Sequence, residues 1–202
     1  DPVYKNMIDV MNERSSFLGG MDIPEFYAMA EALFTPEEAE INNAMPAKGT
    51  FTAAQLAEKT GRDAAKLSGK LKVMADKGLC VSFEEHGERV FRAVPFMPGI
   101  FEFVFYRGKD SDRDRELARR IHEYKEAWHA NSPPMTLPYP LLRVITVDKT
   151  IGSGENIHTY DQVKTYIEQN DTIAVGRCYC RQEAMLLGED THGLPMDACV
   201  FF

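Results

Sequence analysis

Apolar residues recur at helical spacing along most of the first 130 positions of the chain. DIPEFYAMAEALF (22–34) predicts a helix with Asp22 as its N-cap and Pro24 in the first turn. In the following FTPEEAEINNAM, Thr35 stands at the cap, Pro36 at the first helical position and Glu38 two further on. That spacing lets Thr35 and Glu38 cap one another's backbone N–H, as in a capping box. Ala39, Ile41, Ala44 and Met45 supply its buried face. TAAQLAEKTG (52–61) predicts a short helix closed by Gly61, and DAAKLSGKLKVMADKGL (63–79) predicts another. In the latter Leu67, Leu71 and Met74 lie at i, i+4, i+7, and Lys77–Gly78 provide the stop.

The period then changes to two. CVSFEEHGERVFRAVPF alternates apolar and polar residues about His86–Gly87, the pattern of a hairpin. Helix, helix–turn–helix and hairpin is the order of elements in a winged-helix domain, placed here at about 35–95. Residues 96–109 are strongly apolar and aromatic and predict a buried helix. The charged start KDSDRDRELARR opens a long one, with Leu117, Ile121, Tyr124 and Trp128 along one stripe. Four prolines within 133–140 forbid helix and favour an extended crossing, the best domain boundary in the chain. Beyond it the pattern predicts a strand RVITVD, a helix over 159–169 and a buried strand over 171–176. The fold class expected is α+β. A winged-helix-like helical domain (1–132) precedes an extended Pro-rich linker and a small α/β region (133–202) that carries the cysteines.

With 202 residues, 44% of them hydrophobic, the chain can bury a core of one or two domains. Nothing approaches the run of about 18 apolar residues that a membrane span requires. The polar N-terminus lacks a secretory layout, so a cytoplasmic, reducing location is expected. It also lacks an initiator Met, and preceding residues are expected. A net charge of −8 opposes wholesale binding to phosphate and suits a basic patch on a partner protein. Over 35–95, nine Lys/Arg balance nine Asp/Glu. Lys66, Lys70, Lys72 and Lys77 lie on or at the end of the recognition-like helix, but Glu84, Glu85 and Glu88 occupy the wing tip. DNA is therefore a disfavoured partner. No nucleophile elbow, zincin helix or Walker loop is present, and GSGE (152–155) reads as a turn, so no catalytic site of the chain's own is expected.

Three of the four cysteines, Cys178, Cys180 and Cys199, fall in the last 25 residues. Cys178-Tyr179-Cys180 follows a strand and precedes a helix, a rigid setting from which thiols can project. Three thiolates are one short of the usual complement of an iron–sulfur cluster or a tetrahedral zinc site, and His192 lies between them as a fourth donor. Taken alone, a His in a Gly-rich loop reads as a solvated side chain. Zinc usually takes thiols at C-x2–4-C, so the single-residue gap counts against a zinc finger without excluding zinc. A Cys178–Cys180 disulfide would close a strained ring in a reducing compartment. A C-x-C followed by Arg, Gln and Glu is unlike core. Cys80, opening a strand of the hairpin, reads as a small buried hydrophobe. Arg177 and Arg181 flank the pair. Beside an anionic cofactor they would stabilise an added electron and raise its potential.

The segment CYCRQEAMLLGEDTHGLPMDACVFF resembles the central motif of a family of anaerobe proteins of the 4Fe-4S ferredoxin type. There, C-x-C-R-x-E begins a stretch that closes with C-x2-P-x3-C and an aromatic residue. Cys178, Cys180, Arg181, Glu183, Pro195 and Cys199 match that pattern, and LFTPEEAEI, MADKGL, PFMPGIFEF, RVITV and YDQVKTYI extend the likeness over most of the chain. The resemblance implies a ferredoxin-like protein holding a 4Fe-4S cluster and passing single electrons to a redox partner protein, as a subunit of an oxidoreductase system. His192 stands where the family has its third Cys, which makes it a ligand position and leaves a cluster of altered potential, a labile cluster or zinc as contents. The family continues into a ferredoxin domain, whereas this chain stops at Phe202, so a longer natural protein or a lost electron-wire portion is expected. The alternatives are a redox-sensing winged-helix regulator and a zinc-stabilised structural protein. A homodimer through the winged helix is a further partner arrangement.

Overall fold

The Thr35 cap forms as its sequence dictates. The Thr35 N–H donates to Glu38 Oε2 at 3.0 Å, and the Glu38 N–H donates to Thr35 Oγ1 at 3.3 Å. The structure, a computed structural model, describes residues 1–14, 18–132, 168–171, 173–191 and 193–201. Its helices are α1 (Pro2–Arg14), α2 (Pro24–Leu33), α3 (Pro36–Ala44), α4 (Ala53–Thr60), α5 (Ala64–Asp76), α6 (Ile100–Phe103), α7 (Asp112–Asn131) and α8 (Tyr179–Leu186). Its strands are β1 (Val81–Glu85), β2 (Glu88–Arg92), β3 (Ala174–Arg177) and β4 (Asp197–Phe201), in two antiparallel pairs. The class is α+β, as expected.

Local chemistry sets most element ends. Thr52 and Gln55 cap α4 reciprocally, Gly61 ends it in the left-handed conformation, and the Asp63 side chain accepts from the Lys66 N–H to start α5. The hairpin turns on His86 (φ 51°) and Gly87 (φ 80°), two left-handed residues in a row. That geometry matches the twist of the strands it joins. Beside β2, Phe51 and Phe91 exchange both backbone hydrogen bonds, at 2.9 and 2.8 Å. The order across this sheet is therefore Phe51, β2, β1.

Three expectations need correction. The buried helix expected over 96–109 is confined to Ile100–Phe103, with Pro98 and Gly99 immediately before it. Asp22 does not cap α2. Pro24 is the first helical residue, which makes the extended Ile23 the cap, and Asp22 instead accepts a 2.7 Å hydrogen bond from the Tyr27 hydroxyl. The strand expected to be buried at 171–176 runs from Ala174 to Arg177, and its Ala174 and Val175 are exposed, because β3 pairs with β4 and no layer among the described residues covers that end. The Pro-rich boundary (133–140), the strand RVITVD, GSGE and most of the helix expected at 159–169 lie outside the described residues, as does His192.

Aromatic rings tie the core together. Phe26 meets Tyr124 and Phe96 edge-on at 5.7 and 6.0 Å, and Phe96 stacks on Phe101 at 5.3 Å. Leu117, Ile121 and Tyr124 of the α7 stripe are buried, with Trp128 packed at its margin. Leu67, Leu71 and Met74 of α5 join the same cluster, and so does Leu186 at the far end of α8. The cysteine-bearing segment is thus anchored on the helical core. Among the described residues, no helix is long and apolar enough to cross a membrane.

Candidate cysteine site

β3 and β4 pair antiparallel with Val175 opposite Val200 and Gly176 opposite Cys199. A register irregularity at Gly176/Arg177 follows, and the Cys178 N–H then donates to the Met196 carbonyl at 2.6 Å. From there the chain turns straight into α8. Cys178 is its extended N-cap, Tyr179 its first residue and Cys180 its second. Cys199 approaches the same helix end from β4, and Cys178, Cys180 and the Tyr179 N–H are among the groups that act on its ionisation.

The electrostatics show how close the three groups lie. Burial pushes the Cys199 thiol up, the Tyr179 N–H works against that, and the neighbouring Cys178 and Cys180 push it further. Burial also raises Cys180. The Tyr179 hydroxyl and Lys125 oppose the shift, whereas Cys178 and Glu183 add to it. Tyr106, at the end of the α6 segment, is raised by burial and by Cys199, Glu102, Cys178 and Cys180. All three cysteines are free thiols. Cys80 stands apart, buried with its sulfur toward the Leu71 carbonyl, and burial pushes its thiol up to about 12. It is a packing residue, as its position suggests.

The flanking arginines are held by protein groups. Arg177 Nε donates to Gln182 Oε1 at 2.9 Å, with Asp197 at 4.0 Å, and the Arg181 guanidinium hydrogen-bonds the Pro195 carbonyl. Arg181 thereby ties α8 to the loop that leads back to Cys199. The cation that acts on Cys180 is Lys125 of α7, whose ammonium lies 2.6 Å from the buried Glu183 carboxylate. Gln182, fully buried, donates to the Lys109 carbonyl at 2.8 Å while accepting from Arg177. Sequence reasoning missed Lys125 and Tyr106, because neither has a motif and both come from segments far away in the chain. Glu183 carried a signal, as the Glu of C-x-C-R-x-E, without an indication of its partner.

Thiols are the right donors for iron or zinc. Among the described residues, however, no three His, Cys, Asp or Glu side chains form a group that could hold a metal ion.

The helix that resembles a recognition helix and its surroundings are partly neutralised by neighbouring carboxylates. Lys70 pairs with Glu37 at 2.7 Å, Lys77 with Glu38 at 2.6 Å, Arg62 with Glu40 at 2.6 Å, and Arg89 of the hairpin with Glu84 at 3.2 Å. Compared with known proteins, the chain matches no family model, no curated protein and no solved structure.

Proposed function

We propose that this chain is a 4Fe-4S-type iron–sulfur protein that passes single electrons to a redox partner, built on a winged-helix domain, as the resemblance of its cysteine motif implies. The observation that carries the reading is the placing of Cys178 and Cys180 at the N-terminal end of α8, with Cys199 on the paired strand β4 opposite Gly176. The thiolates of a multi-iron cluster bind different irons, so their sulfurs need not converge on one point as the ligands of a single ion must. Cys178, Cys180 and Cys199 would hold the cluster, with His192 as the fourth ligand, and the bound group would supply one-electron redox chemistry. The partly positive end of α8 and the Tyr179 N–H favour negative charge at these sulfurs. Lys125, Arg177 and Arg181 add cationic character to the surroundings. The winged-helix part of the proposal is supported by α4, α5 and the hairpin in sequence, with Phe51 paired to β2 as the third strand position.

Zinc is the second reading, since free thiols are donors that zinc takes and Cys178, Cys180 and Cys199 are free. Anaerobic purification of the full chain, with iron, zinc and acid-labile sulfide quantified and a visible spectrum recorded, separates the two. The expected result is iron and sulfide in equal amounts, about four of each per chain. Colour should disappear in Cys178→Ala and Cys199→Ala and persist in Cys80→Ala. Iron without sulfide, or zinc alone, overturns the proposal.

A further inference from the structure

A groove of about 710 Å³ lies between α5, β1 and β3. Its strand walls are Val81 and Ser82 of β1 and Ala174, Val175 and Gly176 of β3. The face of a strand presents every second residue, so a wall of consecutive residues is a strand edge. Both strands end their sheets among the described residues. β1 pairs with β2, whose other side takes Phe51, and β3 pairs with β4. Two open edges therefore border one groove. An open edge offers a row of backbone N–H and C=O groups that accepts a further strand. Val175, 65% exposed, stands there as an uncovered apolar side chain.

Charge selects the occupant. Lys72, Arg89 and Arg107 border the groove against the single carboxylate of Asp76, a cationic patch on a chain of net charge −8. The ion pairs that Arg89 and Arg107 make, with Glu84 and Asp76, are solvent-exposed and readily exchanged. Lys72 has no ion pair among the described residues. We propose that the groove receives an extended segment of a partner protein, flanked by carboxylate side chains, as an added strand bridging β1 and β3. Gly176 and Tyr106 also line the groove, and Gly176 stands opposite Cys199 in the β3–β4 pair. The inference does not require a bound cluster.

The test uses the full chain and a short, labelled peptide of alternating valine and threonine with aspartates at both ends, beside a counterpart ending in lysines. Fluorescence anisotropy should show the aspartate peptide binding about tenfold tighter, an advantage that fades with salt. Hydrogen exchange should slow at 81–82 and 174–176 together. The double variant Lys72→Glu/Arg107→Glu, confined to exposed positions, should reverse the preference between peptides while leaving the fold unchanged by circular dichroism. Absence of protection at both edges with millimolar peptide overturns the proposal. So does protection that appears without peptide as protein concentration rises, which would make a second copy of the chain the occupant.

Discussion

The unit from α4 to β2 and the unit from β3 to β4 are both built of helix and antiparallel pair, yet they are held in opposite ways. The first buries Leu56, Leu67, Leu71, Met74 and Phe91 almost completely, each within 3% of zero exposure. In the second, the buried side chains among the described residues are Leu186, Gln182 and Glu183, one apolar and two polar. Apolar burial is non-directional and tolerant of small shifts. A buried carboxylate and amide demand particular partners, and the structure supplies them as Lys125, Lys109 and Arg177. The helical unit is thus held mainly by apolar packing in the common core, whereas the cysteine unit leans on particular polar partners. For a site meant to hold or release something, that dependence is useful.

The largest effect that would sharpen the contrast is expected from Leu71→Ala. Removing a fully buried leucine should destabilise the whole chain by about 2–5 kcal/mol, read as a lower midpoint in urea unfolding. A smaller and local effect should follow Lys125→Met, which leaves the Glu183 carboxylate buried without its cation. The cost is about 3 kcal/mol, confined to the cysteine unit. Hydrogen exchange should accelerate in α8 while α5 stays protected. Equal acceleration in both helices would break the distinction.

The smallest effect is a pH dependence inside the helical unit. Burial works to raise Glu38, but hydrogen bonds from Lys77 and the Thr35 cap outweigh it and hold this carboxyl below the usual glutamate range. A depressed carboxyl stabilises the folded state above its unfolded value, and that stability drains away as pH falls through the lowered folded value. Glu102 acts in the opposite sense. Burial raises it despite its bond to the Gly99 N–H, so its protonation on acidification favours the fold. The urea midpoint of the wild type should therefore fall on the acid side of the glutamate range, and Glu38→Gln should flatten that fall. An unchanged acid limb in the variant would remove Glu38 from its cause.

The same contrast explains what was legible in the sequence. Thr35 with Glu38, Asp63, Gly61 and His86–Gly87 act on residues a few positions away, so spacing alone reveals them. The stripe on α7 and the Leu67–Leu71–Met74 face are equally local. Asp22 misled because a one-residue shift hands the cap to Ile23, and a side chain with a free hydroxyl nearby takes another partner. The clustering of Cys178, Cys180 and Cys199 was legible in the sequence. The polar ties beneath it were not, because Lys125–Glu183 and Gln182–Lys109 span 58 and 73 positions and follow no period. Val175 was expected to be buried because it is apolar, but its strand lies on an uncovered edge.

The eight residues of α8 give a final consequence. One end carries the thiols, and the other plants Leu186 in the common core. At about 1.5 Å per residue, the helix is a stiff strut roughly 12 Å long. A strut does not absorb displacement; it pivots. Because a strut moves as one piece, the placing of Cys178 and Cys180 is tied to the packing around Leu186.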